Sequence, residues 1–119
     1  MEASYSHYGL GMEALDAGRM EEAIRHFNAS LTEGEHFATH MRLYECYKRL
    51  NAHEPAKKHI QQAYALNDRS DKVSLEYART LHEAGSIAQA RDVLQKILSR
   101  NPSYFPARQL LSDENPPMQ

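Results

Sequence analysis

The sequence predicts an all-α fold, an α-solenoid of antiparallel helix pairs with about seven helices, on the strength of three observations. Gly18, Asn51 and Gly85 stand 33 and 34 residues apart, and Gly34, Asn67 and Asn101 repeat the same two intervals. Gly and Asn tolerate the left-handed conformation that closes a helix. Two interleaved series of stops on one period therefore imply paired helices, repeated three times. The intervening segments carry helical periodicity: Met20, Ala23, Ile24, Phe27 and Leu31 share one face, as do His40, Leu43, Tyr44, Tyr47 and Leu50, and then Ile87, Ala90, Leu94, Ile97 and Leu98. The prolines agree with the pattern. Pro55 and Pro106 fall in first turns, where a missing amide donor costs little, and Pro102 follows a helix end.

The elements follow in order as helices over approximately 4–17, 20–33, 37–50, 54–66, 71–84, 87–100 and 104–112. They group into repeats over about 4–36, 37–70 and 71–103, with a capping helix at 104–112, so that 1–112 forms one domain and 113–119 a flexible tail. Ala23, Ala56 and Ala90 occupy one slot, five residues after each first stop, where a small side chain lets paired helices approach. Phe27, Ile60 and Leu94 lie four residues on and fill the seam. A single pair cannot bury its apolar face, so stacking of pairs makes the core. Gly9 and Gly11 lie inside the first helix, each costing about 1 kcal/mol relative to Ala. Gly11 has a packing reason and Gly9 shows none, so the first turns of this helix are expected to be the least stable part of the array.

A roughly 34-residue helix pair of this kind resembles the tetratricopeptide repeat. The family's large-then-small pair is matched by Leu10-Gly11 and Tyr77-Ala78, while Leu43-Tyr44 overfills the small slot. The next large position is matched by Tyr47 and Leu81, and Ala14 is undersized. Ala63 and Ser30 suit the late small position, but Ile97 departs from it, and the closing proline occurs only as Pro102. His7, His40 and Ser74 stand where the family often has an aromatic residue. The resemblance implies a right-handed superhelical stack. It also implies a concave groove, lined by the first helix of each repeat, that takes a peptide or helical segment of a partner. Mapped onto this chain, the groove comprises Tyr5, Tyr8, Met12 and Leu15, then Met41, Arg42, Glu45, Lys48 and Arg49, then Lys72, Leu75, Glu76, Arg79 and His82. Tyr, Met and Arg offer large contact area, adaptable packing and forked hydrogen bonding. A protein or peptide partner with acidic and apolar residues suits this surface. Tyr5, Tyr8 and Met12 equally suit packing at the uncovered end of the stack, and the charged residues equally suit a solvated face offset by Glu45 and Glu76.

The family's chaperone-tail grooves grip two carboxylates with Lys, Asn, Asn, Lys and Arg. Tyr8, Met12, Arg42, Lys72 and Glu76 stand there; only Lys72 agrees in kind, and Glu76 repels a carboxylate, so such tails are not expected ligands. The alternative is an assembly or self-association module acting through the stack ends or convex face, giving a homo-oligomer, or a regulatory domain of a larger complex. Met1 and the tapering tail weigh mildly against the last.

Composition narrows the classes further. A length of 119 residues with 41% hydrophobic and 25% charged residues suits one soluble domain. A net charge of -2 provides no basic field for nucleic acid. No apolar run approaches the roughly 20 residues that span a bilayer, and the first ten residues lack a signal-peptide pattern, which makes a cytoplasmic location the default. One cysteine, Cys46, excludes an internal disulfide; it sits in a slot that favours a buried, inert thiol. His36 and His40 have the i,i+4 spacing of metal ligands but no evident third, so no metal is expected. His26, His53, His59 and His82 suit surface or groove positions. No phosphate loop, nucleophile elbow or dinucleotide fingerprint is present, so neither catalysis nor a cofactor is expected.

Overall fold

The structure is a computed structural model that describes residues 6–114. It contains α1 (His7–Asp16), α2 (Met20–Glu33), α3 (Phe37–Arg49), α4 (His53–Leu66), α5 (Asp71–Glu83), α6 (Ile87–Arg100) and α7 (Phe105–Glu114). All seven expected helices are present among the described residues, and residues 113 and 114 continue α7 beyond the anticipated end. The fold is an all-α helical repeat. Tyr5 and the tail from 115 to 119 lie outside the described residues.

The turns inside pairs are three copies of one motif. Arg19, Ala52 and Ser86 donate their amides to the carbonyls of Ala14, Tyr47 and Leu81, while Gly18, Asn51 and Gly85 donate to Leu15, Lys48 and His82. These paired bonds form a Schellman closure, which needs a left-handed residue at its centre. Gly18, Asn51 and Gly85 supply it with φ of 78°, 57° and 82°. Asn51→Val is expected to cost about 1–2 kcal/mol in urea unfolding, with Asn51→Gly close to neutral, because only a side chain that resists positive φ is penalised.

The second series of stops closes differently from the expectation. Gly34 alone has a positive φ, 154°, and Asn101 is at −143°. The two asparagines act through their side chains. Asn67 Oδ1 accepts the Arg69 amide at 3.3 Å, and Asn101 Nδ2 donates to Asp71 at 3.0 Å. Side-chain caps then begin the first helix of each pair: Ser6 Oγ accepts from Gly9, His36 Nδ1 from Ala38, and Ser70 Oγ from Val73.

The described chain divides after Leu66 into two compact units. In the first, α2 packs on α1 and α3, and α3 on α4. Ala14, Leu15, Ala23, Phe27, Leu43 and Cys46 form its buried cluster, with Tyr8, Met12, Ile24, Leu31 and Tyr47 packed against it. Gly11 makes this possible, since a Cβ there would stand 2.6 Å from the Phe27 ring. Gly9 also has a reason: a Cβ would lie 3.1 Å from the capping Ser6 hydroxyl. In the second unit, α7 packs on α5 and α6. Arg100 bonds Asp71 at 2.8 Å and Ser74 at 3.1 Å, so together with Asn101 it ties the end of α6 to the start of α5. These bonds hold the Asp71 carboxyl below its usual range, Asn101 ahead of Arg100.

Candidate functional site

First helices position the candidate contact residues by simple periodicity. On α1, Tyr8 and Met12 are one turn apart; on α3, Arg42, Glu45 and Arg49 follow at steps of three and four. Tyr8 and Met12 are half-buried and rest against the first unit's core, with the Tyr8 ring tilted on Phe27 at 5.7 Å. Their outer edges remain open. Arg42 donates Nε to the Tyr8 hydroxyl at 3.4 Å and Nη1 to both Glu45 oxygens at 3.1 Å. The Tyr8 hydroxyl, ahead of Glu45, holds the guanidinium in its charged form against the cost of burial. The structure thus joins Tyr8, Arg42 and Glu45 across two repeats into one half-exposed amphipathic surface. Arg49 is exposed at the end of α3, and Lys48 is exposed with its Nζ 5.4 Å from the Tyr44 ring.

Not every expected groove residue is open to a ligand. Met41 and Leu75 are each only 6% exposed, and Leu15 is buried in the first unit's core. Their apolar side chains support the helices that carry the polar contacts. In the second unit, Lys72 and Arg79 are exposed, His82 is half-buried, and Glu76 lies 3.6 Å from Arg79. Tyr104, overlooked in the sequence, is half-buried within the field of Asp71, Glu76 and Arg79; burial, then the two carboxylates, raises its hydroxyl pKa. Its place just ahead of α7 makes it a neighbour of α5 that helical periodicity does not reveal.

His36 and His40 do not converge on an ion. The His36 ring caps α3, whereas His40 is buried and meets His59 on α4. His59 is thus half-buried and bonded, contrary to the surface or groove position expected of it. Among the described residues no group of three or more His, Cys, Asp or Glu is placed to hold a metal. No helix among them is long and apolar enough to cross a membrane.

Cys46 is fully buried, and burial, then the Glu45 charge, pushes its thiol up to about 11. Iodoacetamide at pH 8 is expected to alkylate it at least about a hundredfold more slowly in the folded protein than in urea, because the thiolate is the reactive species. Comparable rates by mass spectrometry would show that the thiol is accessible.

Comparison with known proteins covers most of the chain. A family model described as tetratricopeptide repeat matches residues 54–113. No curated protein matches the sequence. Among solved structures, the first TPR domain of Spaghetti (RPAP3) bound to the HSP90 peptide SRMEEVD is similar with a TM-score of 0.78 and 18% identity, over 92% of this chain and 87% of that one. The second TPR domain of human RPAP3, in complex with the HSP70 peptide SGPTIEEVD, has a TM-score of 0.78 and 19% identity over 94% of each chain. YrrB, a TPR protein with an unusual peptide-binding site, has a TM-score of 0.80 and 19% identity over 91% of this chain and 56% of its own. At these identities the likeness concerns the fold.

Proposed function

The chain belongs to the tetratricopeptide repeat family, and from that premise we propose that it is a protein-interaction module whose first-helix face binds a peptide or helical segment of a partner. The observation that carries this reading is the joined surface of Tyr8, Arg42 and Glu45. It spans two repeats, keeps aromatic, cationic and carboxylate groups partly open, and continues into Met12 and the exposed Arg49. An aromatic edge beside a guanidinium suits a segment that alternates apolar and acidic residues. Lys72, Arg79 and His82 on α5 are further candidate contacts. The peptides in the structures of the similar RPAP3 domains end in acidic and apolar residues, which supports a partner of that general chemistry. The mismatched clamp positions argue against those same chaperone tails.

Selection from a displayed peptide library tests the proposal. Enriched peptides should carry acidic and apolar residues and bind with micromolar affinity by calorimetry, the range of moderate peptide interfaces. Failure to enrich any binder, or enrichment of basic peptides, would remove the reading. A second reading, self-association through an end of the array, draws on Phe105, which is 66% exposed at the start of α7. Light scattering separates the two: a mass that rises with concentration and falls on Phe105→Ser supports assembly.

A further inference from the structure

Two histidine pairs occupy the same repeat position. His7 faces His26 between α1 and α2, and His40 faces His59 between α3 and α4, each ring 33 residues on from its counterpart. Ser74 and Val93 hold the third copy of these positions. The pairs differ in geometry. His7 and His26 stack with centroids 6.0 Å apart, both partly exposed, with Glu33 3.6 Å from His7 and Glu22 4.0 Å from His26. His40 and His59 instead turn their Nδ1 atoms to within 3.0 Å, and His40 is 1% exposed.

A hydrogen bond between two imidazole nitrogens needs a proton on one and none on the other. The Glu35 carboxylate, which only accepts, lies 3.7 Å from His40 Nε2. It favours the tautomer protonated there, which leaves His59 Nδ1–H to donate to His40 Nδ1. Glu35 approaches from the segment before α3, Lys58 acts on His59 from α4, and the Tyr47 ring lies flat against His59 at 5.6 Å. Among the described residues, α2 contributes no charge that shifts either ring. One carboxylate and one ammonium thus surround a pair that would need two counter-charges when fully protonated.

We infer that the His40–His59 pair is an acid-labile latch between α3 and α4: neutral rings join the two helices, and protonation of the pair in mild acid releases them. A proton added to His40 Nδ1 leaves two Nδ1 donors 3.0 Å apart with no acceptor between them, and a second, added to His59 Nε2, sets two cations face to face. The first proton is also disfavoured, because burial withholds solvation from a charged ring. Burial lowers the His40 pKa against the pull of Glu35, and burial, then His40 and Lys58, brings His59 down to about 4. Unfolded imidazoles bind protons near 6.5. Below that pH the unfolded chain therefore binds protons that the folded rings resist, and for His59 the difference persists down to about 4. Stability is complete above this window and drains as pH falls through it, the unfolding constant rising about tenfold per pH unit for each extra proton. Helix α3 also carries Arg42, Glu45 and Arg49, so the latch frees the proposed contact surface; that consequence rests on the proposed function, whereas the latch itself does not.

The test is urea unfolding of the full chain at pH 7, 6 and 5 for wild type, His59→Gln and the exposed-position control His53→Gln, together with histidine-ring NMR titration of wild type. The glutamine side chain of His59→Gln can still donate to His40 Nδ1 but does not titrate. The latch predicts a flatter pH dependence for His59→Gln, by about tenfold per pH unit in the unfolding constant, and no change in slope for His53→Gln. It also predicts that the His59 ring stays neutral at pH 5.5 in the folded protein and that His40 takes its proton at a lower pH than in the unfolded chain. An unchanged slope in His59→Gln, or protonation of His59 by pH 5.5 with the fold intact, overturns it. Should His59→Gln not fold, the wild-type ring titration decides alone.

Discussion

Replacing Phe27 by alanine is expected to cost the first unit about 3–5 kcal/mol, the range found for emptying a large buried aromatic site. Phe27 is fully buried at the centre of that unit's cluster, packs against Tyr8, and fills the space left by the missing side chain of Gly11. The measurement is the opening free energy of α1 to α4 by amide hydrogen exchange. The partner at this contact makes a second, reciprocal statement. Gly11→Ala alone should destabilise by about 1–3 kcal/mol through overpacking, and should cost clearly less in a Phe27→Leu background, because the ring atoms 2.6 to 2.9 Å from the new Cβ are then absent. Additive costs would mean that ring and glycine are not coupled.

The double substitution Tyr8→Ala, Arg49→Glu is expected to weaken a selected peptide about a hundredfold, near 2.7 kcal/mol, with helicity unchanged. Tyr8 contributes area and the hydroxyl that receives Arg42, while reversing Arg49 places a repelling charge beside an acidic ligand. The variant leaves the fully buried cluster in place: Tyr8 is half-buried at its margin and Arg49 is exposed, so the fold should survive with some loss of stability. Calorimetry provides the affinity and far-ultraviolet circular dichroism the control. An affinity within threefold of wild type would remove both residues from the site.

How much of this was legible beforehand depends on where each residue's partner lies. The repeat period was readable because a Schellman turn demands positive φ, and that demand selects Gly or Asn at 18, 51 and 85. The turns between pairs use the same residue types for another purpose, side-chain hydrogen bonding at Asn67 and Asn101, and composition alone does not separate the two uses. The Ala and Phe/Ile/Leu slots were readable because local periodicity defines a buried face. Periodicity defines a face, however, without its width. Met41 and Leu75 sit near the margin of the first-helix stripe, and tertiary packing rather than their spacing decides that they are buried.

Contacts between helices were the least legible. His59 bonds His40 19 residues away, and neither helix's pattern names its opposite number. A signal was nonetheless present: His7 and His26 recur at the repeat interval as His40 and His59, so one pair implies the other. The aromatic slot of the family holds polar residues in all three repeats, and the structure shows each with a polar partner. His7 meets Glu33 and stacks on His26, His40 meets His59, and Ser74 bonds both Arg100 and the Asp68 carbonyl. Buried polar groups are tolerated where such partners exist, as for His40 and Ser74, whereas His7 is partly exposed.

The most direct test of the central claim is an amide NMR titration of the protein with the tightest library peptide. Binding on the first-helix face predicts that the largest shifts fall on Tyr8, Met12, Arg42, Glu45 and Arg49, with smaller ones at Lys72, Arg79 and His82 on α5. Shifts concentrated on α2, α4 or α7, with those residues unmoved, would contradict the account and place the partner elsewhere on the array.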